Sequence, residues 1–269
     1  MNLSKRKAIL FAACIIITLC SLFLLQPQLR PAPDVQRPVA NAINFLEGTN
    51  EPHALLWLDV IHRRFGIEEF VNSLQRYDQV LNELLGQPLQ LRVFRRIADH
   101  DNPLQKGDLE MVVDLDRVIV PALYCDRLGL PDEYAALLKE KVSLGGYELT
   151  HVLLACIWIQ DNGCEVPLSG GFIENIYRAN AALIGDDPVV EDLELEAAAF
   201  LYLAGKGKLV DNAFIEYVIA AQNDDGGWSI SGDTAEESNW HPTVLGLLLL
   251  LHVGFPSGAY PPILAPASP

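Results

Sequence analysis

The chain has 269 residues and a formal net charge of -16, and residues 30–269 hold 16 bases against 35 acids. That excess excludes a nucleic-acid binder, which needs a basic face for polyphosphate, and a polybasic membrane-surface protein. Half of the residues are hydrophobic and a fifth charged, so most of the chain has the composition of a packed domain rather than of a disordered one.

In chain order, residues 1–7 form a basic N-terminus carrying Lys5, Arg6 and Lys7. Residues 8–25 follow without a charge. As a helix they span roughly 27 Å, close to the hydrocarbon thickness of a bilayer. The preceding bases put the N-terminus in the cytoplasm. The exit Leu24-Leu25-Gln26-Pro27 lacks the small residues of a cleavage site, which favours an uncleaved signal-anchor. The expectation is a single-pass membrane protein with its main domain outside the cytoplasm. Pro27, Pro31, Pro33 and Pro38 then predict an extended stalk over 26–44.

Strand signals are nearly absent from 45–255. Helices are predicted over 52–64, 67–85, 89–98, 115–128, 131–142, 148–159, 172–184, 193–204, 212–222 and 242–252, with glycines such as Gly66, Gly163 and Gly205 as stops. Residues 256–269 read as a Pro-rich tail. Three runs, 151–159, 196–205 and 241–254, are apolar nearly all round, which requires protein on every side. Each opens on a polar residue: His151, Glu196 and His241, 45 residues apart in each step. Asp116 and His53 open two similar runs outside that period. A unit of about 45 residues is the size of a helical-hairpin repeat, so the expected fold is all-α, about five hairpins. Of Cys125, Cys156 and Cys164, a bridge between the first and last is open in an oxidising compartment. Cys156 reads as a buried small hydrophobe.

Gln222-Asn223-Asp224-Asp225-Gly226-Gly227-Trp228 fits Gln-x-x-x-Gly-x-Trp, and Trp158 to Cys164 is a shortened copy. Asn239-Trp240-His241-Pro242-Thr243 follows, with Gly246-Leu247. These segments resemble the repeats of terpene cyclases and protein prenyltransferases. The resemblance implies an (α/α) toroid, with inner helices lining a central funnel. It also implies that His241 matches a zinc-ligating His of prenyltransferase β subunits. Glu194-Leu195-Glu196 falls where their Asp-x-Cys ligand pair stands, without the thiolate. Asp114-Leu115-Asp116 is not the Asp-x-Asp-Asp of the cyclases. The motif itself reads as a staple between hairpins, a support of the fold.

In a toroid, His151, Glu196 and His241 meet at one mouth, with Asp116, Glu148 and Glu194 as companions. Two imidazoles and a carboxylate suit a divalent metal such as zinc, or acid–base groups. Helix capping is the alternative role for each. The expected function is a diverged enzyme, or a binding protein, taking a small-molecule or lipid-like ligand in the funnel. A non-catalytic scaffold and a glycan hydrolase or lyase are the alternatives. Eleven acids in 186–196 and 224–237 predict an acidic rim, suited to a cation or a neutral ligand.

Overall fold

The computed structural model describes residues 33–84, 88–103, 116–256 and 258–267, so the expected membrane segment and basic N-terminus lie outside the described residues. Those residues are all-helical, with one isolated bridge between Trp228 and Asn239 and no strand among them. No helix among them is long and apolar enough to cross a membrane.

The α-helices are α1 (Gln36–Glu47), α2 (Pro52–Phe65), α3 (Ser73–Glu83), α4 (Leu89–Phe94), α5 (Asp116–Leu123), α6 (Cys125–Leu128), α7 (Tyr134–Leu144), α8 (Gly146–Asp161), α9 (Gly170–Ala181), α10 (Asp192–Leu203), α11 (Asn212–Ala220) and α12 (Trp240–Gly254). The apolar helices pack in series: α5 on α8, α8 on α10, α10 on α12, and α12 on α2. The mixed helices cover them, α7 and α9 against α8, α3 against α2. α12 is buried from Pro242 through His252, which explains why it has no polar face.

Two boundaries differ from expectation. The stalk expected over 26–44 gives way to α1 from Gln36, which buries Pro38, Ala42 and Leu46. Pro38 sits in the first turn, where a missing N–H costs no helix bond. The tail also belongs to the domain. Ile263, Leu264 and Ala265 are buried, and the Arg63 guanidinium donates to the Ile263 carbonyl at 2.8 Å. An apolar triplet among prolines outweighed the flanking composition.

The Gln-x-x-x-Gly-x-Trp turn fastens both ends of the domain. Gln222 Nε2 donates to the carbonyls of Pro38 (2.8 Å) and Gly226 (2.9 Å), while Asn41 donates to its Oε1. Trp228 is buried; its indole N–H donates to the Val218 carbonyl at 2.8 Å and its backbone N–H to Thr243 Oγ1 at 3.0 Å. Gly226 has φ +95°, and a Cβ there would lie 2.4 Å from the Asn41 carbonyl oxygen. Only glycine lets the turn approach α1 so closely.

The shortened copy is fastened differently. The predicted helix 115–128 breaks between α5 and α6, and Asn162 Nδ2 donates to the freed carbonyls of Ala122 (2.9 Å) and Leu123 (3.1 Å). Cys164 is bonded to Cys125, with Cα atoms 6.2 Å apart, leaving Cys156 as the free thiol among the described residues. No tryptophan follows the glycine of this copy, and a covalent link directly after that glycine fastens it instead. The bridge spans 39 residues of sequence. Replacing both cysteines by serine is expected to cost about 2–4 kcal/mol, because the unfolded chain regains loop freedom. Urea unfolding of the two proteins measures it; equal midpoints would show that the bridge adds nothing.

Candidate functional site

The site is built at the first turns of α8, α10 and α12. Asn239 caps α12, its side chain accepting from the His241 N–H at 2.9 Å. Glu194 closes a capping box on α10 and also accepts from the Gly185 N–H, so it serves the backbone and not the site. Glu148 is paired with Lys141 at 3.1 Å. Glu194 is therefore structural, whereas Glu148 also acts on His151 by its charge and keeps Oε2 buried without a hydrogen-bond partner among the described residues.

His151, Glu196 and His241 do come together. Glu196 Oε1 lies 3.8 Å from His151 Nε2, and Oε2 lies 3.4 Å from His241 Nε2. The Thr150 hydroxyl donates to Glu196 Oε1. His241 Nδ1 is 2.7 Å from Asp192 Oδ1, and the Tyr147 hydroxyl donates to Asp192 Oδ2 at 2.7 Å. Asp192 and Glu196 are 3% and 1% exposed. A carboxylate on Nδ1 fixes the imidazole so that Nε2 faces Glu196. Asp116 opens α5, which sends Ile119 to the same cavity, but its side chain lies outside the described residues.

Burial sets the protons. It pushes the Glu196 carboxyl up to about 7, against the pull of His241 and Thr150. Burial, helped by the neighbouring His241, lowers His151 to about 4, so its imidazole is neutral. Burial also works against a charged His241, but the hydrogen bond and charge of Asp192, with Glu196, outweigh it and raise its pKa. Near neutrality the site thus holds a neutral imidazole at His151, a carboxyl poised between its two forms at Glu196, and at His241 an imidazole biased toward its charged form.

These groups border a cavity of about 130 Å³ reached by α2, α4, α5, α8, α10 and α12. Its walls include Trp57, Trp158, Phe200 and Trp240, with His53 stacked on Trp240 at 6.2 Å. Trp158 Nε1 and His151 Nδ1 are buried without a hydrogen-bond partner among the described residues. The acids Asp186, Asp187 and Glu191 are exposed. So are Leu144, Val189 and Ile230, which charge counting did not foresee.

Among the described residues no group of three or more His, Cys, Asp and Glu side chains is set to hold a metal ion. Glu196 Oε1 is taken by Thr150, and one nitrogen of His241 by Asp192. His151, Glu196 and His241, expected as zinc ligands, form no such group among the described residues, and the hydrogen bonds at the site run from Thr150 to Glu196 and from His241 and Tyr147 to Asp192.

Asp192 and Thr150 are site residues that sequence reasoning missed, and Tyr147, open to it only as an aromatic lining residue, acts through its hydroxyl on Asp192. The spacing held a signal for two of them. Asp192 is four residues before Glu196, and Tyr147 four before His151, so each shares a helix face with an expected site residue.

No family model matches this chain, and neither the curated proteins nor the solved structures contain a match to it.

Proposed function

We propose that this protein is an acid–base enzyme built on an (α/α) toroid, tethered to a membrane by its N-terminal segment, with the domain in an extracytoplasmic, oxidising compartment. The serial packing of five apolar helices around a shared cavity supports the toroid. The Cys125–Cys164 bridge supports the compartment. The buried Glu196, touching both imidazoles in the wall of an aromatic cavity, carries the functional reading. A carboxyl near 7 can both give and take a proton at physiological pH. Glu196 is the proton donor, and Asp192 positions His241, which steadies the carboxylate left behind.

The cavity matches the volume that accepts benzene-sized molecules, roughly 150 Å³. With aromatic and aliphatic walls beside Glu196 and the imidazoles, it suits the end of a neutral, largely apolar molecule carrying one oxygen. The buried indole N–H of Trp158 is a donor for that oxygen. The glycan reading is weaker, since it needs a second carboxylate free to act across the sugar and Asp192 is engaged by His241 and Tyr147. Non-catalytic binding is the second reading, favoured by the small size of the cavity.

Benzyl alcohol is a suitable probe of the full chain in detergent. It is expected to shift the Trp158 indole resonance, with an affinity that changes through pH 7 and a pH dependence lost in Glu196→Gln. Binding that ignores pH between 5 and 9 would leave only the non-catalytic reading. No shift at Trp158 with benzyl alcohol, phenol or cyclohexanol would sink both. Stoichiometric zinc in the purified protein would return the metal reading.

A further inference from the structure

At the opposite ends of the same helices lies a larger cleft of about 880 Å³, within the size range of small-molecule sites. It is bounded by the ends of α2, α8, α10 and α12, the start of α11, and the C-terminal segment at Tyr260 and Pro261. Arg64 dominates its chemistry. The guanidinium donates through Nη1 to the Pro261 carbonyl and through Nη2 to His252 Nε2 at 3.2 Å. It sits 5.0 Å over the Tyr260 ring. Its Nε is buried without a partner, and it forms no ion pair among the described residues.

The neighbouring groups preserve that isolation. His252 is buried, and its Nδ1 donates to the Leu248 carbonyl at 2.8 Å, which leaves Nε2 as an acceptor that orients Arg64. Asp161 shares the cleft and attracts Arg64 through space but forms no ion pair with it, its Oδ2 accepting instead from Ile263 (2.8 Å) and Leu264 (3.3 Å). Asp211 is occupied as the cap of α11. Lys208 adds an exposed second cation, one of only three bases in residues 144–269. A half-buried guanidinium without a carboxylate is costly unless something compensates it. Phe65, Tyr202, His252 and Tyr260 gather aromatic faces around it, with Phe65 and Tyr260 each 4.9 Å from the His252 ring.

We infer that this cleft is a binding site for an organic carboxylate with a flat ring body, Arg64 gripping the carboxylate and Tyr202 and Tyr260 flanking the ring. It is separate from the acid–base site and does not depend on the function proposed for that site. A guanidinium fork recognises a carboxylate through paired charge-assisted bonds, and the aromatic surroundings select a planar ligand over a bare anion.

Calorimetry on the full chain in detergent tests this with 2-naphthoate, which exceeds the small cavity beside Glu196. Naphthoate is expected to bind at least about tenfold more tightly than neutral 2-naphthamide, the difference made by a hydrogen bond to a charged group. Arg64→Gln should cost about the same factor. Lys208→Gln, an exposed change that leaves the packing intact, should weaken binding by a few-fold in low salt only. Equal binding of acid and amide, or undiminished binding to Arg64→Gln, overturns the inference. Inorganic phosphate binding as tightly as naphthoate overturns the ring class. Should Arg64→Gln fail to fold, the acid–amide comparison and Lys208→Gln decide alone.

Discussion

Trp228→Ala lowers the stability of the domain by about 3–5 kcal/mol, the range for removing a fully buried aromatic side chain. The indole is 1% exposed and fills the space against Gly246, where even a Cβ would approach its ring to 3.0 Å. Its loss leaves a cavity and strips the Val218 carbonyl of its donor. The effect reaches beyond one hairpin. The turn that carries Trp228 also holds α1 through Gln222 and Asn41, 181 residues away in sequence. The expected result is earlier urea unfolding of the whole domain in one transition, with α1 released together with α12. A loss below about 1 kcal/mol would show that the motif is not the staple described.

Glu196→Gln is expected to make the protein more stable at pH 8, by about 3 kcal/mol. The folded state holds the Glu196 proton up to about 7, against an ordinary 4.5. Folding stability therefore falls as pH rises between those values, by about 1.4 kcal/mol for each tenfold shift in proton affinity. His151 acts oppositely. Its folded value near 4 lies below the ordinary 6.5, so stability rises with pH over that window. From about pH 4.5 to 6.5 the two nearly cancel in the natural protein. Above 6.5 the remaining part of the Glu196 loss is left, joined by His241, whose raised value makes its contribution vanish as pH increases. His252, also lowered by burial to about 4, adds a second gain over the window of His151, so natural stability rises in mild acid and declines above neutrality, whereas Glu196→Gln rises more steeply up to pH 6.5 and declines less beyond it. Urea unfolding at pH 5, 6.5 and 8 reads both curves. A glutamine variant less stable than the natural protein at pH 8 would refute the buried, neutral-leaning carboxyl and the acid–base role resting on it.

That site was partly legible in the sequence. His151, Glu196 and His241 stand at the same register of successive apolar helices, and a repeat brings equal registers to one end. Their meeting was expected from that spacing together with the toroid that the resemblance implies. What the groups do to one another did not. Whether two imidazoles and a carboxylate ligate a metal or share protons depends on separations of about an ångström, and on Asp192, Tyr147 and Thr150 taking the remaining lone pairs.

Composition and apolar period determined the all-helical class, the helices that must be buried on every side, and the acid excess. These depend on neighbours within a few turns, which the chain order supplies. Tertiary structure decided the rest. It turned the Pro-rich segment from Gln36 into a helix, because Gln222 and the α12 surface gave it a partner. It paired Cys125 with Cys164 and left Cys156 free. It set Arg64 without an ion pair in a cleft closed by the tail. Each of these outcomes depends on contacts between residues some forty to two hundred positions apart, and local pattern carries no information about which distant surfaces will meet.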